Sequence, residues 1–340
     1  MSDTTKSEAA GTSGSSSIVE EINSWLAENW DPDITVAEWW QRLGLAGWSA
    51  PSLPENAYGR GLSRGDAIQV QNAINDFGAL GAPGGLGLLL AAPTIATSGT
   101  PEQIELYVRD IVTGQKAWCQ LFSEPGAGSD LAGLQTKAMR DGDEYIVNGQ
   151  KVWTSGGQIA DLGMLIARTN SDVPKHQGIT YFGIDMHQPG VDVRPLRELT
   201  GRALFTEVFL SDATVPADAI IGGLNNGWAV ANTTLAFERA GLGSGGGASS
   251  ASVAIPGTVA GQLENRAGDY VSGGKKSSGA GGGGGAAFRD SAGMMVKLAQ
   301  GVGKSDDPTI RQDLVRLHTY GQIGRFNNLR VKAAKAAGQD

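Results

Sequence analysis

The amino-acid sequence predicts an α+β protein in which a β domain lies between two helical domains. Apolar residues recur at helical spacing near the start of the chain, whereas short β-branched and aromatic runs broken by turn residues fill its middle. The length of 340 residues allows two or three domains with a sizeable core. We therefore expect a helical domain over residues 18–114, a β domain over residues 115–222 and a second helical domain over residues 223–340.

The composition excludes several classes of protein. Lys and Arg number 27 against 35 Asp and Glu, so the net charge of -8 gives no basic field for a nucleic acid or an anionic membrane. The single cysteine, Cys119, and three scattered histidines cannot form a disulfide framework or a Cys/His zinc site. We therefore expect no metal ion, and the cysteine content favours a reducing, cytoplasmic location.

Two segments could be mistaken for targeting or membrane elements. Residues 1–17 are polar, and no apolar stretch follows a basic start, so we expect a disordered leader rather than a signal peptide. The most apolar run, residues 79–96, contains two prolines and four glycines, which favours a buried segment over a membrane span. No membrane-spanning helix is therefore predicted.

Helix signals define the first domain. Ile18, Ile22 and Leu26 share one helical face, since residues three or four positions apart lie on the same side of a helix. Thr35 is followed three residues later by a glutamate, and Thr100 by a glutamine, which is the capping-box pattern of a helix start. The second box predicts a helix over residues 102–112.

Seven strands are predicted in the middle of the chain. Each run is rich in β-branched and aromatic residues and ends near Gly, Asp or Asn. Asp141-Gly142 and Asn148-Gly149 are typical of tight hairpin turns between such strands. The predicted strands are Ala117–Phe122, Thr136–Arg140, Glu144–Val147, Leu162–Ala167, Thr180–Ile184, Val191–Pro195 and Glu207–Leu210.

Helical signals return after the β domain. We predict one helix over residues 227–242 and a last helix that starts at Asp307-Pro308, with Asp as N-cap and Pro in the first turn. A Gly-rich insertion over residues 241–304 separates them. The GxGxxG string within it follows a helix rather than a strand, so it does not indicate a nicotinamide-dinucleotide fold.

Two segments, residues 118–130 and 148–156, carry a recognisable pair of motifs. They read Trp-Cys-Gln-Leu-Phe-Ser-Glu-Pro-Gly-Ala-Gly-Ser-Asp and Asn-Gly-Gln-Lys-Val-Trp-Thr-Ser-Gly. In order and spacing they resemble the two flavin-contacting signatures of the acyl-CoA dehydrogenases, and the resemblance covers residues 18–239. It implies FAD as cofactor, together with an N-terminal helical domain, a middle β-barrel domain and a C-terminal helical bundle that is incomplete here.

The first motif also has a physical interpretation of its own. A strand that ends in Ser-Glu-Pro and continues into Gly-Ala-Gly-Ser forms a tight turn whose backbone amides can approach an anionic ligand closely. An ordinary Gly-rich hairpin corner would have the same local sequence. The resemblance favours the ligand-binding interpretation.

The resemblance implies roles for individual residues. Ser129 is expected to contact the pyrophosphate and to border the acyl-CoA, Trp153 to lie against the flavin, and Ser155 to donate a hydrogen bond near flavin N5. Without the resemblance, Trp153 would be interpreted as a core aromatic residue. The expected cofactor-binding residues are Gln120, Leu121, Phe122, Ser123, Ser129, Trp153, Thr154 and Ser155.

A catalytic base is implied in the same way. Glu238 matches the glutamate of a Glu-Arg pair that serves as base in the isovaleryl- and long-chain acyl-CoA dehydrogenases. A carboxylate in a dry pocket gains basicity through desolvation, as abstraction of an α-proton requires. Phe237, Arg239 and Ser129 are the expected substrate-binding residues. The alternative interpretation of Glu238 is a solvated helix residue paired with Arg239.

The sequence departs from the family near its C-terminus. The family's C-terminal glutamate segment, and an Arg-x-x-Phe-Gly element that reaches the flavin of a neighbouring subunit, have no counterpart that we find before Asp340. We therefore expect a truncated third domain or a shortened subunit of a heteromer. Together with Glu238, this resembles the actinobacterial heteromeric dehydrogenases of steroid side-chain thioesters.

The function implied by the resemblance is FAD-dependent dehydrogenation of an acyl-CoA thioester to the trans-2-enoyl-CoA, in fatty acid or steroid degradation. Glu238 would remove the α-proton while a hydride leaves Cβ for flavin N5, and an electron-transfer flavoprotein would accept the electrons. A homo- or hetero-oligomer is expected. Two alternatives stay open: a non-catalytic partner subunit, and a flavin monooxygenase on the same fold, which would need no base for an α-proton.

Overall fold

The computed structural model describes residues 13–199, 201, 203–243, 263–271 and 291–338. These residues fall into two compact units. The first contains the described residues up to Ala240 together with 263–271, and the second contains the last two helices. Within the described part of the chain, no helix combines the length and the apolar character needed to cross a membrane.

Three helices open the first unit, and tryptophans anchor them. The Thr35 hydroxyl caps the second helix, as predicted, by accepting a hydrogen bond from the Glu38 amide at 3.1 Å. Trp39 is fully buried on this helix and donates its indole N–H to the carbonyl oxygen of Leu80 at 2.6 Å. The three helices are α1 (Ser13–Asn29), α2 (Val36–Leu45) and α3 (Arg64–Phe77).

Helix α1 begins inside the segment that we expected to be a disordered leader. Residues 13–17 form its first turn. Ile18 and Ile22 follow on the buried face and hold the helix against the domain. Residues 1–12 of the expected leader lie outside the described residues.

The predicted helix over residues 102–112 is present, although its middle is wider than an α-helix. The capping box expected at Thr100 is complete: the Gln103 amide donates to the Thr100 hydroxyl at 3.2 Å, and the Thr100 amide donates to Gln103 Oε1 at 3.1 Å. The run consists of α5 (Pro101–Gln103), a π-helical turn (Ile104–Val108) and α6 (Arg109–Val112), and it follows a π-helical turn (Gly87–Ala91) and α4 (Ala92–Ser98).

Eight strands form one sheet in the order β6-β7-β3-β2-β4-β5-β8, and β1 pairs in parallel with β4 beside this path. All seven predicted strands are present. The two-residue strand β8 was not predicted, because it is too short for a periodic pattern. The strands are β1 (Trp118–Leu121), β2 (Lys137–Asp141), β3 (Glu144–Ser155), β4 (Leu162–Arg168), β5 (Ile179–Asp185), β6 (Val191–Leu196), β7 (Phe205–Pro216) and β8 (Ile220–Ile221).

One predicted hairpin turn is wrong. Asp141-Gly142 does lie at the β2–β3 hairpin, where Asp141 pairs with Glu144. Asn148-Gly149 instead lies within β3, at a shift of register against β7. There the Asn148 side chain exchanges hydrogen bonds with Asp212, its Nδ2 donating to Oδ1 at 2.9 Å and its Oδ1 accepting from the Asp212 amide at 3.0 Å. The dipeptide therefore forms a bulge inside one long strand.

The predicted Gly-rich insertion contains a segment that packs on the first helical domain. Residues 263–271 pair with the loop before α2 and with the first turn of α2. The Ala267 amide donates to Ile34 O at 2.8 Å, and the Ala37 amide donates to Leu263 O at 2.9 Å. Leu263 and Ala267 are buried there. Within the predicted insertion, these few apolar residues thus bury surface against the first helical domain.

Three further helices complete the described chain. Asp307 caps the last of them, as predicted, by accepting hydrogen bonds from the amides of Thr309 at 2.9 Å and Ile310 at 3.3 Å. Several large apolar side chains on this last helix are exposed, among them Ile323 and Phe326. The helices are α7 (Gly227–Gly243), α8 (Ser291–Gly301) and α9 (Pro308–Ala336).

Candidate functional site

Strand β1 divides its side chains between two environments. Cys119 and Leu121 are fully buried in the core of the sheet, and burial raises the pKa of the Cys119 thiol to about 12. Gln120, which lies between them, is half-buried and points to the opposite face because side chains alternate along a strand. Phe122 packs in the cluster of residues between the sheet and the helices. Gln120 is thus the polar group that β1 presents to the helical side.

The loop that follows β1 is tightly closed, as the sequence predicts. The amides and carbonyls of Glu124 and Ala127 exchange hydrogen bonds at 3.0 Å, and Ala127 is buried beneath the turn. A Cβ atom added at Gly126 or Gly128 would meet nothing within 4 Å, so open space lies above the glycines. Ser129 is exposed beside them. The loop therefore presents backbone and hydroxyl groups to an accessible surface.

A buried ion pair joins this loop to strand β3. Lys151 Nζ lies 2.8 Å from Glu124 Oε1 and also donates to the carbonyl oxygen of Phe122 at 3.0 Å. The lysine side chain is 0% exposed and the glutamate 6%. Glu124 also accepts hydrogen bonds from the amides of Gln135 at 2.6 Å and Thr136 at 3.0 Å. The pair therefore holds the loop to the strand that carries the second motif.

Burial and charge act in opposite directions on the two partners. Desolvation lowers the pKa of Lys151 to about 8, although the neighbouring Glu124 carboxylate raises it in part. Desolvation alone would raise the pKa of Glu124, but Lys151 and the hydrogen bonds from Thr136 and Gln135 outweigh it and hold the pKa below its usual range. Sequence reasoning quoted both residues within the motifs but assigned them no role.

The second motif ends β3 with alternating exposure. Trp153 has a positive φ of 61° and is 58% exposed. Its ring lies edge-on to that of Phe205, with 5.7 Å between the ring centroids. This exposure excludes the interpretation of Trp153 as a core aromatic residue. Ser155 is exposed as well, whereas the Thr154 side chain is fully buried on the other face and its hydroxyl has no partner. Trp153 and Ser155 are therefore the accessible side chains of this segment.

A small cavity of about 160 Å³ lies where the two motifs approach residues 84–87. Trp118, Ser155 and Ile159 line it, among other residues. The buried indole nitrogen of Trp118 has no hydrogen-bond partner, and a Cβ atom on Gly87 would lie 3.5 Å from the adjacent ring carbon, Cδ1. Trp118 thus lines the cavity, whereas its indole nitrogen is buried and has no partner among the described residues. Sequence reasoning did not single out this donor, since no pattern distinguishes it from a core tryptophan.

Helix α7 brings a carboxylate into contact with strand β1. Glu238 is half-buried, and its Oε2 lies 3.4 Å from Gln120 Nε2. Phe237 packs partly buried against the cluster between sheet and helices, whereas Arg239 is exposed. Within the described residues Glu238 forms no ion pair with Arg239, and its contact is with β1. The structure therefore brings the expected base and the first cofactor motif together.

Three buried hydroxyl groups hold α7 against the rest of the unit. Thr234 Oγ1, one turn before Glu238, lies 3.0 Å from Thr94 Oγ1 and 3.2 Å from the Tyr181 hydroxyl. Thr234 also donates to the Val230 carbonyl oxygen at 3.2 Å, so the two other hydroxyls can donate to it. These residues come from α4, β5 and α7. No sequence signal identifies the contact, because the partners lie far apart along the chain.

Two family profiles match successive parts of this chain. The profile of the acyl-CoA dehydrogenase N-terminal domain matches residues 14–115, and that of the acyl-CoA dehydrogenase middle domain matches residues 119–213. The acyl-CoA dehydrogenase FadE34 of Mycobacterium tuberculosis is 48% identical over 203 residues, which are 60% of this chain and 28% of that protein. The chain thus spans less than a third of the length of this relative.

Two further proteins are similar over nearly the whole chain. The acyl-CoA dehydrogenase IpdE1 of Mycolicibacterium smegmatis is 31% identical over an alignment that covers 94% of this chain and 79% of that protein. Among solved structures, the ChsE4-ChsE5 complex from Mycobacterium tuberculosis superposes with a TM-score of 0.64 at 26% identity, over 97% of this chain and 78% of that one. The middle-domain profile contains residues 119–130 of the first motif and the whole of the second motif.

Proposed function

The chain belongs to the acyl-CoA dehydrogenase family, and on this premise we propose that it oxidises a saturated acyl-CoA thioester to the trans-2-enoyl-CoA. The observation that carries the proposal is the carboxylate of Glu238, 3.4 Å from the side chain of Gln120 on the strand of the first motif. Removal of an α-proton beside a hydride acceptor requires a base in contact with the segment that binds the cofactor.

The cofactor of the family is FAD, and the residues present fit it. The open space above Gly126 and Gly128 leaves their backbone accessible to a pyrophosphate, and Ser155 and Trp118 line a cavity of about 160 Å³. The residues that would hold FAD are Gln120, Leu121, Phe122, Ser123, Ser129, Trp153 and Ser155, with Thr154 contributing through its backbone. When bound, FAD accepts the hydride that leaves Cβ of the acyl group.

The proposed chemistry of the chain itself is proton transfer. Glu238 takes the proton from Cα of the thioester as a general base, from a half-buried position on α7. Phe237 offers apolar surface beside the base, and Ser129 and Arg239 offer polar groups to the CoA moiety. Their exposed positions are compatible with a substrate that enters from solvent.

The test is the visible spectrum of the FAD-loaded protein during anaerobic addition of acyl-CoA thioesters with straight, branched or polycyclic acyl groups. We expect one class to bleach the oxidised flavin. Glu238→Gln should lower the bleaching rate constant by about 10²-fold or more, since a positioned general base contributes roughly that much. The matched control is Glu207→Gln, because Glu207 is half-buried and accepts a hydrogen bond from Gln150 at 3.0 Å on β3, away from the loop.

Either of two outcomes would contradict the proposal. A protein that binds FAD but is bleached by no thioester is not a dehydrogenase on its own. Bleaching that proceeds at the wild-type rate in Glu238→Gln would show that Glu238 is not the base.

A second candidate function is that of a partner subunit in a heteromeric acyl-CoA dehydrogenase. Its support is the similarity to one chain of the ChsE4-ChsE5 complex. Expression alone and with candidate partner chains discriminates the two, because a partner subunit gains activity only in the complex. An active isolated chain would exclude this candidate.

The proposal also includes where the protein acts and with what. We propose an electron-transfer flavoprotein as electron acceptor, a homo- or hetero-oligomeric state and a cytoplasmic location. The exposed apolar side chains of α8 and α9 support association, since soluble monomers rarely expose so many. The single cysteine of the sequence, which is buried and free, supports a reducing compartment.

A further inference from the structure

We infer that Gln120 is a positioning residue for Glu238: its side-chain amide orients the carboxylate that removes the α-proton. The inference rests on the proposed function and deepens it. The resemblance assigned Gln120 only to the cofactor, whereas in the structure its Nε2 donates to Glu238 Oε2 at 3.4 Å. The amide and the carboxylate are both half-buried at this contact.

The direction of the Gln120 side chain follows from the strand. Its neighbours Cys119 and Leu121 are 0% exposed in the core of the sheet, so alternation directs Gln120 to the opposite face. That face is the one on which α7 packs. The pairing of β1 with β4 from Trp118 to Leu121 fixes the backbone at this position. Gln120 therefore has little freedom to turn away from the helix.

The other partner is equally constrained. Thr234, four residues before Glu238 and on the same helical face, is held by the hydroxyls of Thr94 and Tyr181. All three residues are 0% exposed. The backbone of α7 is thus fixed one turn before Glu238, and the remaining freedom lies in the carboxylate's own torsions. A hydrogen bond from Gln120 restricts those torsions.

The amide suits this role chemically. It donates to one carboxylate oxygen, Oε2, and leaves Oε1 for the proton from Cα, so the electron pair of Oε1 forms the new O–H bond. Gln120 keeps its own protons throughout and carries no charge. It therefore orients the base through a hydrogen bond and places no counter-charge beside it. A lysine at this position would weaken the base, and a leucine would leave it unoriented.

The test compares three variants of the FAD-loaded protein. Gln120→Met keeps the length of the side chain and removes the donor, and Gln120→Glu puts a second carboxylate beside Glu238. Gln150→Met is the matched control, because Gln150 donates to the carboxylate of Glu207 at 3.0 Å in a similar half-buried pair away from the first motif. The measured quantities are FAD retention, the anaerobic bleaching rate constant against pH, and the isotope effect of an α-deuterated thioester.

Once loaded with FAD, Gln120→Met should bleach about 10-fold more slowly than wild type, which is part of the contribution of a well-placed base. The isotope effect should increase, since proton removal then limits the rate more strongly. In Gln120→Glu the pH profile should move to higher pH, because two adjacent carboxylates resist ionising together. The Gln150→Met control should match wild type in all three quantities.

The inference is overturned if Gln120→Met bleaches at the rate of the Gln150→Met control with an unchanged isotope effect. If Gln120→Met fails to hold FAD, Gln120→Glu decides: an unshifted pH profile overturns the inference, and a shifted one supports it. Glu238→Gln separates this failure from that of the proposed function. A slow Glu238→Gln with a normal Gln120→Met rejects only the positioning role, whereas a normal Glu238→Gln rejects the base itself.

Discussion

Lys151 carries an ammonium group into the middle of the β domain, where its side chain has no contact with solvent. A buried charge is tolerated only when a partner and hydrogen bonds replace the lost water. Glu124 and the carbonyl oxygen of Phe122 provide them. The two charged residues are therefore part of the core, at the point where the loop of the first motif meets β3.

Replacing Lys151 by Met should destabilise the protein, because it leaves the Glu124 carboxylate buried without its partner. We expect a loss of about 3–5 kcal/mol in the free energy of unfolding at pH 7, the usual cost of breaking a buried pair. Urea unfolding measures it. Lys137→Met is the control, since Lys137 is exposed on β2. Equal stabilities of the two variants would contradict the expectation.

The same variant tests the pKa of Lys151. The folded-state value of about 8 lies below the reference value of 10.5, so between these pH values the unfolded chain binds more protons. The contribution of Lys151 to the free energy of unfolding therefore rises with pH across this window and is constant below it, where the lysine is protonated in both states. The difference between wild type and Lys151→Met should grow from pH 8 to pH 10, whereas a constant difference would refute the shift.

At the residue scale, the linear motifs named individual candidate residues but not the contacts between them. Glu238 and Gln120 were both named from the motifs, and the structure brings them to 3.4 Å. Their mutual contact was not predicted, since 118 residues separate them along the chain. The unpaired Trp118 donor was missed for the same reason: burial and partners are properties of the fold, not of the local pattern.

At the scale of elements, α7 depends on three hydroxyl groups inside an otherwise apolar cluster. Thr234→Val keeps the shape of the side chain but removes the hydrogen-bond acceptor of Thr94 and Tyr181. Each buried donor left without a partner costs about 1–3 kcal/mol, so we expect a comparable loss in the free energy of unfolding. Thr233→Val, on the solvent-facing side of the same helix, is the control. A wild-type stability of Thr234→Val would contradict the role of this contact.

The elements themselves were largely predictable, and the failures have physical causes. Helix caps at Thr35, Thr100 and Asp307 were predicted correctly because a cap depends on residues within one turn. Asn148-Gly149 was misread because the same dipeptide suits a turn and a bulge, and the choice depends on the pairing of β3 with β7. Tertiary pairing thus overrode local turn chemistry.

At the scale of the whole molecule, α9 exposes several large apolar side chains. Ile323 and Phe326 are 51% and 59% exposed and lie three residues apart on one face, and further apolar residues along the helix are exposed as well. In the proposed oligomer this surface would be covered. It belongs to the second compact unit, so changes there need not disturb the cofactor motifs.

The double variant Ile323→Glu/Phe326→Glu should lower the molar mass of the native assembly, because charges in a covered apolar surface are unpaired. Sedimentation velocity at several protein concentrations measures the change. Asn327→Glu is the control, since it adds a charge at an exposed polar position of the same helix. An unchanged mass in the double variant would place the subunit contacts elsewhere.

The pairing of residues 263–271 with the loop before α2 has a consequence for synthesis. The start of α2 is paired with a segment that lies more than two hundred residues later in the chain, with the Val36 amide donating to Asn265 O at 2.8 Å. Contacts this distant in sequence slow folding, because a long loop must close before they form. During synthesis the first helical domain therefore lacks these contacts until residue 271 has left the exit tunnel of the ribosome. Its completion comes after the β domain and α7 have been made, not before them.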